Sequence, residues 1–290
     1  MRPSNQSVSR GIFDMILASL SFGTMTAFVK LASETLPAFE IVFCRSLLGS
    51  LMMTALLLKE KGSFVGTQPK LLIMRGAFGF IALAMNFYAI SKLNLGTAVI
   101  LNYTSPIFVA IIAALLLKEE VSKILWVLTG LCFTGLFLLV GPQFSIKSFP
   151  ILIGLFSGVM AALAYMTIRM AGKEESSTTI IFYFTTVATI GSLPLLRFGF
   201  HMPDAKEWFA LLGIAITSFF GQIFLTRSIR EAPASIVCPF SYLAPVFSFG
   251  FGVLIWKDPL TLGMGIGAAL VILSGSLIYL FERRPHPISD

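Results

Sequence analysis

Few residues in this chain can do chemistry, and those that can sit inside long apolar runs. Two proline-centred segments come first. Asn102 and Tyr103 stand four and three residues before Pro106, and Ser241 and Tyr242 stand at the same spacing before Pro245. A proline inside a helix cannot donate to the carbonyl four residues back, and its ring crowds that carbonyl. The carbonyls of Asn102 and Ser241 are therefore expected to be freed, each beside a phenol. Aromatic faces, hydroxyls and unpaired carbonyls suit a polar organic solute; a kinked helix pair closing its own hydrogen bonds is the plainer alternative. Arg45 reads as the one basic residue well inside an apolar run, about 12 Å beyond Pro37 at the rise of an α-helix. Its guanidinium would either bind a carboxylate or phosphate, or snorkel or brace a neighbouring helix. Asn86, Tyr88, Tyr165 and Gln222 are further polar candidates, each also suited to an interhelical hydrogen bond. Pro106 and Pro245 are assigned a conformational role and the others a substrate-binding one. Glu40 precedes Arg45 by five residues, falls on another helix face and is expected to be a rim charge.

Other chemistry finds no residues to carry it. Neither His-Glu-x-x-His nor Gly-x-Ser-x-Gly occurs, which excludes the common metalloprotease and serine hydrolase sites. The two histidines, His201 and His286, fall in a loop and in the tail, and of 14 acids only Asp14, Glu40 and Glu207 lie inside apolar runs, all near their ends. An aspartyl intramembrane protease would need two acids at depth. No catalytic residue, metal or cofactor is expected. A proton-driven mechanism through a deep carboxylate or histidine lacks its residue, so uniport or exchange is expected instead. Cys44, Cys132 and Cys238 each lie in an apolar run and read as packing thiols rather than disulfides.

The elements that must position these residues are transmembrane helices. The chain has 290 residues, 56% hydrophobic and 12% charged, against about 25% charged in a soluble domain, so it lacks the polar coat that water requires. A spanning helix needs ~20 mostly apolar residues, because lipid offers no partner for a bare backbone amide. Ten such runs are present, at 11–31, 37–58, 71–91, 95–117, 123–140, 150–171, 178–197, 206–228, 233–256 and 260–281. The first is too long for a signal-peptide core. The longest polar interval, Lys59 to Lys70, leaves no room for a soluble domain. The net charge of +7 is spread between apolar runs rather than gathered in a patch, which argues against nucleic acid as a partner. With the N-terminus inside, 14 Lys and Arg residues, Arg75 among them, fall on the cytoplasmic side and 6 on the outer side. That bias predicts both termini in the cytoplasm, and the short loops suit a bacterial inner membrane.

Within this array the chain repeats itself. At an offset of 139, Asn102-Tyr103-Thr104-Ser105-Pro106-Ile107-Phe108 falls on Ser241-Tyr242-Leu243-Ala244-Pro245-Val246-Phe247, and Lys118-Glu119 falls on Lys257-Asp258. The same shift places Lys30 on Arg169. Two five-helix units, 11–140 and 150–281, are therefore expected. Five is odd, so the second copy enters from the opposite face, and the fold class is all-α integral membrane with two inverted five-helix repeats. Inverted repeats give a carrier two related conformations about a midplane site. Channels more often rely on oligomer symmetry and a charged or carbonyl ring. The partners expected are the lipid bilayer and a small-molecule substrate, with a homodimer as the alternative to a monomer.

The order of motifs resembles the EamA branch of the drug/metabolite transporter superfamily over nearly the whole chain. The motifs are Phe43-Cys44-Arg45-Ser46-Leu47-Leu48, Ser105-Pro106-Ile107-Phe108 followed by Lys118-Glu119-Glu120-Val121-Ser122, and Ala232-Pro233-Ala234-Ser235 followed by Pro245-Val246-Phe247. The second half has Lys257-Asp258-Pro259 where that family usually has Gly-Glu. Ala38-Phe39-Glu40-Ile41 and Pro239-Phe240-Ser241-Tyr242 are similar to segments of S-adenosylmethionine uptake carriers in the same superfamily. The resemblance implies a ten-helix carrier with a cavity bordered by spans one, three, four, six, eight and nine. Its substrate would be an amino acid, a nucleoside or an S-adenosylmethionine-like compound, with metabolite or drug export as the alternative.

Overall fold

The computed structural model describes residues 5–93, 95–119, 121–140, 148–172, 174–200, 202–257 and 259–282. The connection at Gly141-Pro142, both histidines and Asp258 lie outside them. The described residues form helices only, in the order the apolar runs predict. They are α1 (Asn5–Ala32), α2 (Ala38–Glu60), α3 (Pro69–Lys92), α4 (Leu95–Asn102 resuming as Ser105–Leu116) and α5 (Lys123–Val140). The second half has α6 (Ser148–Ala171), α7 (Ser177–Ser192, ending in a 3-10 turn Leu193–Phe198) and α8 (Ala205–Glu231). It closes with α9, which passes through Ala234–Val237, Cys238–Tyr242, Leu243–Phe251 and Gly252–Trp256, and with α10 (Leu262–Glu282). Nine of these are long and apolar enough to cross a bilayer by length and composition. The tenth, α3, has 24 residues and carries Lys70, Arg75 and Lys92.

Local chemistry sets the helix ends. Asp204 accepts from the Glu207 amide at 2.8 Å while Glu207 accepts from the Asp204 amide at 2.7 Å, a reciprocal box that opens α8. Ser176 caps α7 by accepting from the Thr179 amide at 2.9 Å. Lys118 and Lys257, the repeat-related lysines that follow α4 and α9, both take left-handed backbone, with φ of 52° and 56°. A duplicated stop has kept its backbone as well as its residue type.

The helices pack in pairs that map onto one another when the halves are exchanged. Helix α1 lies against α8 and α9 just as α6 lies against α3 and α4. Likewise α2 on α8 corresponds to α7 on α3, while α2 on α7 and α5 on α10 map onto themselves. The first helix of each half is thus seated in the opposite half. Ser228 on α8 donates to the Gly11 carbonyl at 2.6 Å, and Ser19 donates to the Phe240 carbonyl at 3.0 Å. A Cβ at Gly23 would lie 2.6 Å from that of Phe247, and one at Gly158 only 2.3 Å from Thr104 Oγ1. The two seams are equivalent.

The glycines divide by what they face. Gly76 and Gly79 meet α7, at Val187 and Phe184, whereas Gly263 and Gly265 face open space. Gly267 is the contact residue of α10: a Cβ there would sit 2.5 Å from the Gly135 carbonyl oxygen and from the Leu139 amide nitrogen of α5. Backbone cannot step aside as a side chain can. Gly267→Ala should therefore destabilise by about 1–3 kcal/mol, the usual cost of overpacking, seen as a lower melting temperature in detergent. A melt equal to the parent's would show that α5 and α10 separate freely.

The three cysteines are buried and free, as expected. Leu115, Leu254 and Leu262 are among many large apolar side chains on the outer surface. A water-facing surface would not carry such a coat; a lipid-facing one needs it.

Candidate functional site

The breaks in α4 and α9 differ from the simple proline kinks expected. Helix α4 stops at Asn102 and restarts at Ser105, which puts Pro106 in a first turn, where a missing amide costs nothing. The Thr104 hydroxyl donates to the Leu101 carbonyl at 2.6 Å, and the Asn102 amide donates to Ser157 on α6 at 3.2 Å. In α9 a 3-10 turn over Cys238–Tyr242 precedes the segment containing Pro245, and Ser19 occupies the Phe240 carbonyl. Thr104 thus bonds within α4 itself, while the Phe240 carbonyl of α9 is met from α1, the first helix of the other half. Ser241 is half-buried on that turn.

The repeat-related tyrosines do come together. The Tyr103 and Tyr242 rings lie 6.2 Å apart at 34°, and Phe133 stands edge-on to Tyr242 at 6.4 Å. Tyr242 is 0% exposed, and its buried hydroxyl has no hydrogen-bond partner. Tyr165 on α6 is within electrostatic reach of Tyr103 on one side and of Arg45 and Arg75 on the other. It links the tyrosine pair to a second polar centre.

Arg75 belongs to that centre, and it corrects the sequence reading. It was assigned to the cytoplasmic rim; in the structure it is 3% exposed, inside α3. Its guanidinium lies 4.2 Å above the Phe184 ring and donates to Gln222 Oε1 at 3.3 Å, while its buried Nε has no hydrogen-bond partner among the described residues. Arg45 is therefore not the lone deep cation. Its Nε donates to Ser218 at 2.7 Å. Ser218 and Gln222 are four apart on α8, so the two guanidiniums are held roughly one helical turn, about 6 Å, from each other along that helix.

A narrow cleft of about 10 Å³, roughly the room of one water, opens beside Arg45, lined further by Met53, Phe184, Thr185, Ser218 and Gln222. Its walls are α2, α7 and α8, a narrower set than the six spans expected to border the cavity. Among the described residues no acid lines it, and none is a main electrostatic neighbour of either arginine. Two unit charges one turn apart repel by roughly 3 kcal/mol at an effective dielectric constant near 20. Stacking on Phe184 returns about 1–2 kcal/mol of that.

The other candidates separate from this centre. Tyr88 is 38% exposed and edge-on to Phe149, thirteen residues and so roughly 20 Å along α3 from Arg75. Asn86 is half-buried, with its Oδ1 buried and lacking a partner. Glu40 is 0% exposed, not a rim charge. The first turns of α2 already pack inward, with Ile41 and Cys44 against Ala210, Leu211 and Ile214. The signal that could have found Arg75 is Gly79, one turn on: a Cβ there would lie 2.3 Å from Arg75 Nη1. That glycine makes room for an arginine lying along its own helix.

At one end of the bundle, polar side chains lace four connections together. Arg169 bonds to Glu119 at 3.1 Å and to the Ile229 and Arg230 carbonyls, and Glu119 accepts from the Ser235 hydroxyl at 2.9 Å. Arg230 donates to the Gly172 carbonyl at 2.7 Å and to Ser177 at 2.6 Å. Glu175 accepts from the Thr67 amide and hydroxyl and from the Gln68 amide. This end is shut. The lysine that repeats Arg169, Lys30, lies 4.6 Å over the Trp256 ring.

A buried polar centre between two interlocked halves, closed at one end, is the layout of a solute carrier, and comparisons with known proteins agree. The pseudopaline exporter CntI of Pseudomonas aeruginosa is 38% identical over 263 residues, covering 88% of this chain and 92% of that protein. An S-adenosylmethionine uptake transporter of Rickettsia prowazekii is 22% identical over 290 residues, with 98% and 97% covered. A solved crystal structure shares the fold at a TM-score of 0.83 and 18% identity, covering 95% of this chain and 98% of that one. The profile of the EamA-like transporter family matches twice, at residues 9–141 and 148–280. The doubled match falls where the helices interlock: this chain is an integral membrane protein of the EamA-like transporter family.

Proposed function

We propose that the chain is a secondary carrier that moves a small polar organic metabolite by alternating access. The halves 11–140 and 150–281 would rock about the centre formed by Arg45, Arg75, Tyr165 and Gln222. The observation that carries this reading is the helix pairing that survives exchange of the halves. Such a molecule can pass into a second conformation with the roles of its halves reversed, open at the end now shut. Export is the direction favoured by the pseudopaline exporter, the more similar of the two relatives above. Uptake is the direction of the Rickettsia protein. The charge bias supports both termini in the cytoplasm, which makes the laced end the cytoplasmic one, and the short loops support a bacterial inner membrane.

The test is flux in proteoliposomes. A carrier gives saturable uptake that accelerates when substrate is loaded on the far side. Linear, unaccelerated flux would identify a channel and sink this reading. Tyr103→Phe should weaken apparent affinity a few-fold without lowering expression, because the ring packing stays while the hydroxyl near Tyr165 is lost. Unchanged kinetics would place the substrate elsewhere.

A further inference from the structure

We propose that Arg45, which lines the cleft, and Arg75, buried behind the cleft residues Phe184 and Gln222, together bind the carboxylate or phosphate end of an organic anion. The rest of the substrate would extend past Tyr165 toward the Tyr103–Tyr242 pair. This rests on the carrier reading and adds the charge of the solute to it.

The site is built for an anion on several counts. Arg75 is 3% exposed, and its buried Nε lacks a hydrogen-bond partner among the described residues. A guanidinium has five N–H donors. Here one from each arginine reaches α8, to Ser218 and to Gln222. Both of those acceptors are neutral, so they orient the arginines without discharging them. Among the described residues no carboxylate lines the cleft. Elsewhere the chain does pair a half-buried arginine, since Arg169 has Glu119 at 3.1 Å. The absence of an acid at Arg45 and Arg75 is therefore a local property of this site. A buried and a half-buried cation repel until something negative enters, and a planar fork is the group that holds carboxylate or phosphate oxygens in pairs.

The order of preference follows. Di- and tricarboxylates should bind best, zwitterions less well, and organic cations worst, because a cation meets two like charges in a site of low dielectric.

The experiment uses the purified full-length protein at fixed ionic strength, with citrate, glutamate, inorganic phosphate, glutamine and S-adenosylmethionine as probes. Thermal stability and competition for uptake in proteoliposomes are read side by side. At least one of citrate, glutamate and phosphate should raise the melting temperature by several degrees in a saturable way, and glutamine and S-adenosylmethionine should do less. Arg45→Met and Arg75→Met should each weaken apparent anion affinity about tenfold or more, and the double variant should abolish the shift. Arg75→Lys should restore part of it, since the charge returns without the fork. A response to citrate and glutamate alone assigns a carboxylate; a response to phosphate alone assigns a phosphate. An anion shift that survives in the double variant is a surface salt effect and overturns the proposal, as does preference for the neutral or cationic probe. If those probes compete for a saturable flux, only the anion class fails. If the parent protein shows no saturable flux for any probe, the carrier reading fails with it.

Discussion

Arg75→Met should yield a protein that melts no lower than the parent yet transports at least tenfold more slowly at subsaturating substrate. The two halves of that expectation have separate causes. Removing one partner of a buried ion pair is costly because it strands the other charge, but Arg75 has no anionic partner to strand. Its Gln222 contact is long, at 3.3 Å, and Gln222 is an uncharged group. Methionine keeps an unbranched apolar chain against Phe184 and relieves the repulsion from Arg45. The folded state therefore loses little and gains relief. Transport loses a charge-assisted hydrogen bond to the solute, worth about 1.5–3 kcal/mol, or roughly 10- to 100-fold in apparent affinity. Melting curves and initial uptake rates on the same preparation check both. A melt several degrees below the parent's would make Arg75 a structural strut, and the site would then have to be rebuilt around Arg45 alone.

Glu119→Gln should shift the carrier away from the conformation shut at the laced end. Glu119 joins Arg169 on α6 to Ser235 at the start of α9, so it ties its own α4–α5 connection to two helices of the second half. The two side chains are 23% and 12% exposed, which places the pair between a surface bridge and a fully buried one. Losing the charge should cost the shut state about 2 kcal/mol, a change of roughly 30-fold in the ratio of shut to open molecules. A cysteine introduced at Ala234, which is fully buried at that end, reports the change once Cys44, Cys132 and Cys238 are replaced by serine. Its modification by a membrane-impermeant maleimide should accelerate about tenfold or more in the Glu119→Gln background. An unchanged rate would mean that this layer holds loops together without gating the path.

Much of this architecture could be read from residue order, and the exceptions have physical reasons. Spans were visible because lipid tolerates little but apolar helix. The duplication was visible because Tyr103 and Tyr242, Pro106 and Pro245, and Lys118 and Lys257 are polar or conformationally costly residues that recur at one spacing. Arg75 was not legible because it lies only six residues beyond Pro69, within reach of a headgroup region had its side chain turned outward. It turns inward instead, onto Phe184 of a helix more than a hundred residues away, and a hydropathy reading carries no term for such a partner. Glu40 misled for the same reason: distance from a helix end measures depth along the axis, whereas burial also depends on which neighbour covers the turn. The restarts in α4 and α9 were hidden because they rest on side-chain bonds at each break, Thr104 to the Leu101 carbonyl and Ser19 to the Phe240 carbonyl 221 residues away.

The interlocking of α1 with the far half bears on how the protein is made. Its seam, at Gly11 and Ser19, closes on residues 217 and 221 positions later. At ~5–20 residues per second of synthesis, those partners emerge roughly 10–40 s after α1 has entered the membrane. Throughout that wait the nascent first half has an unfilled groove beside α3 and α4, which only α6 fits, and α1 itself has no groove to enter. Neither half can mature alone in the bilayer, and assembly of the whole must await the release of α9 from the ribosome.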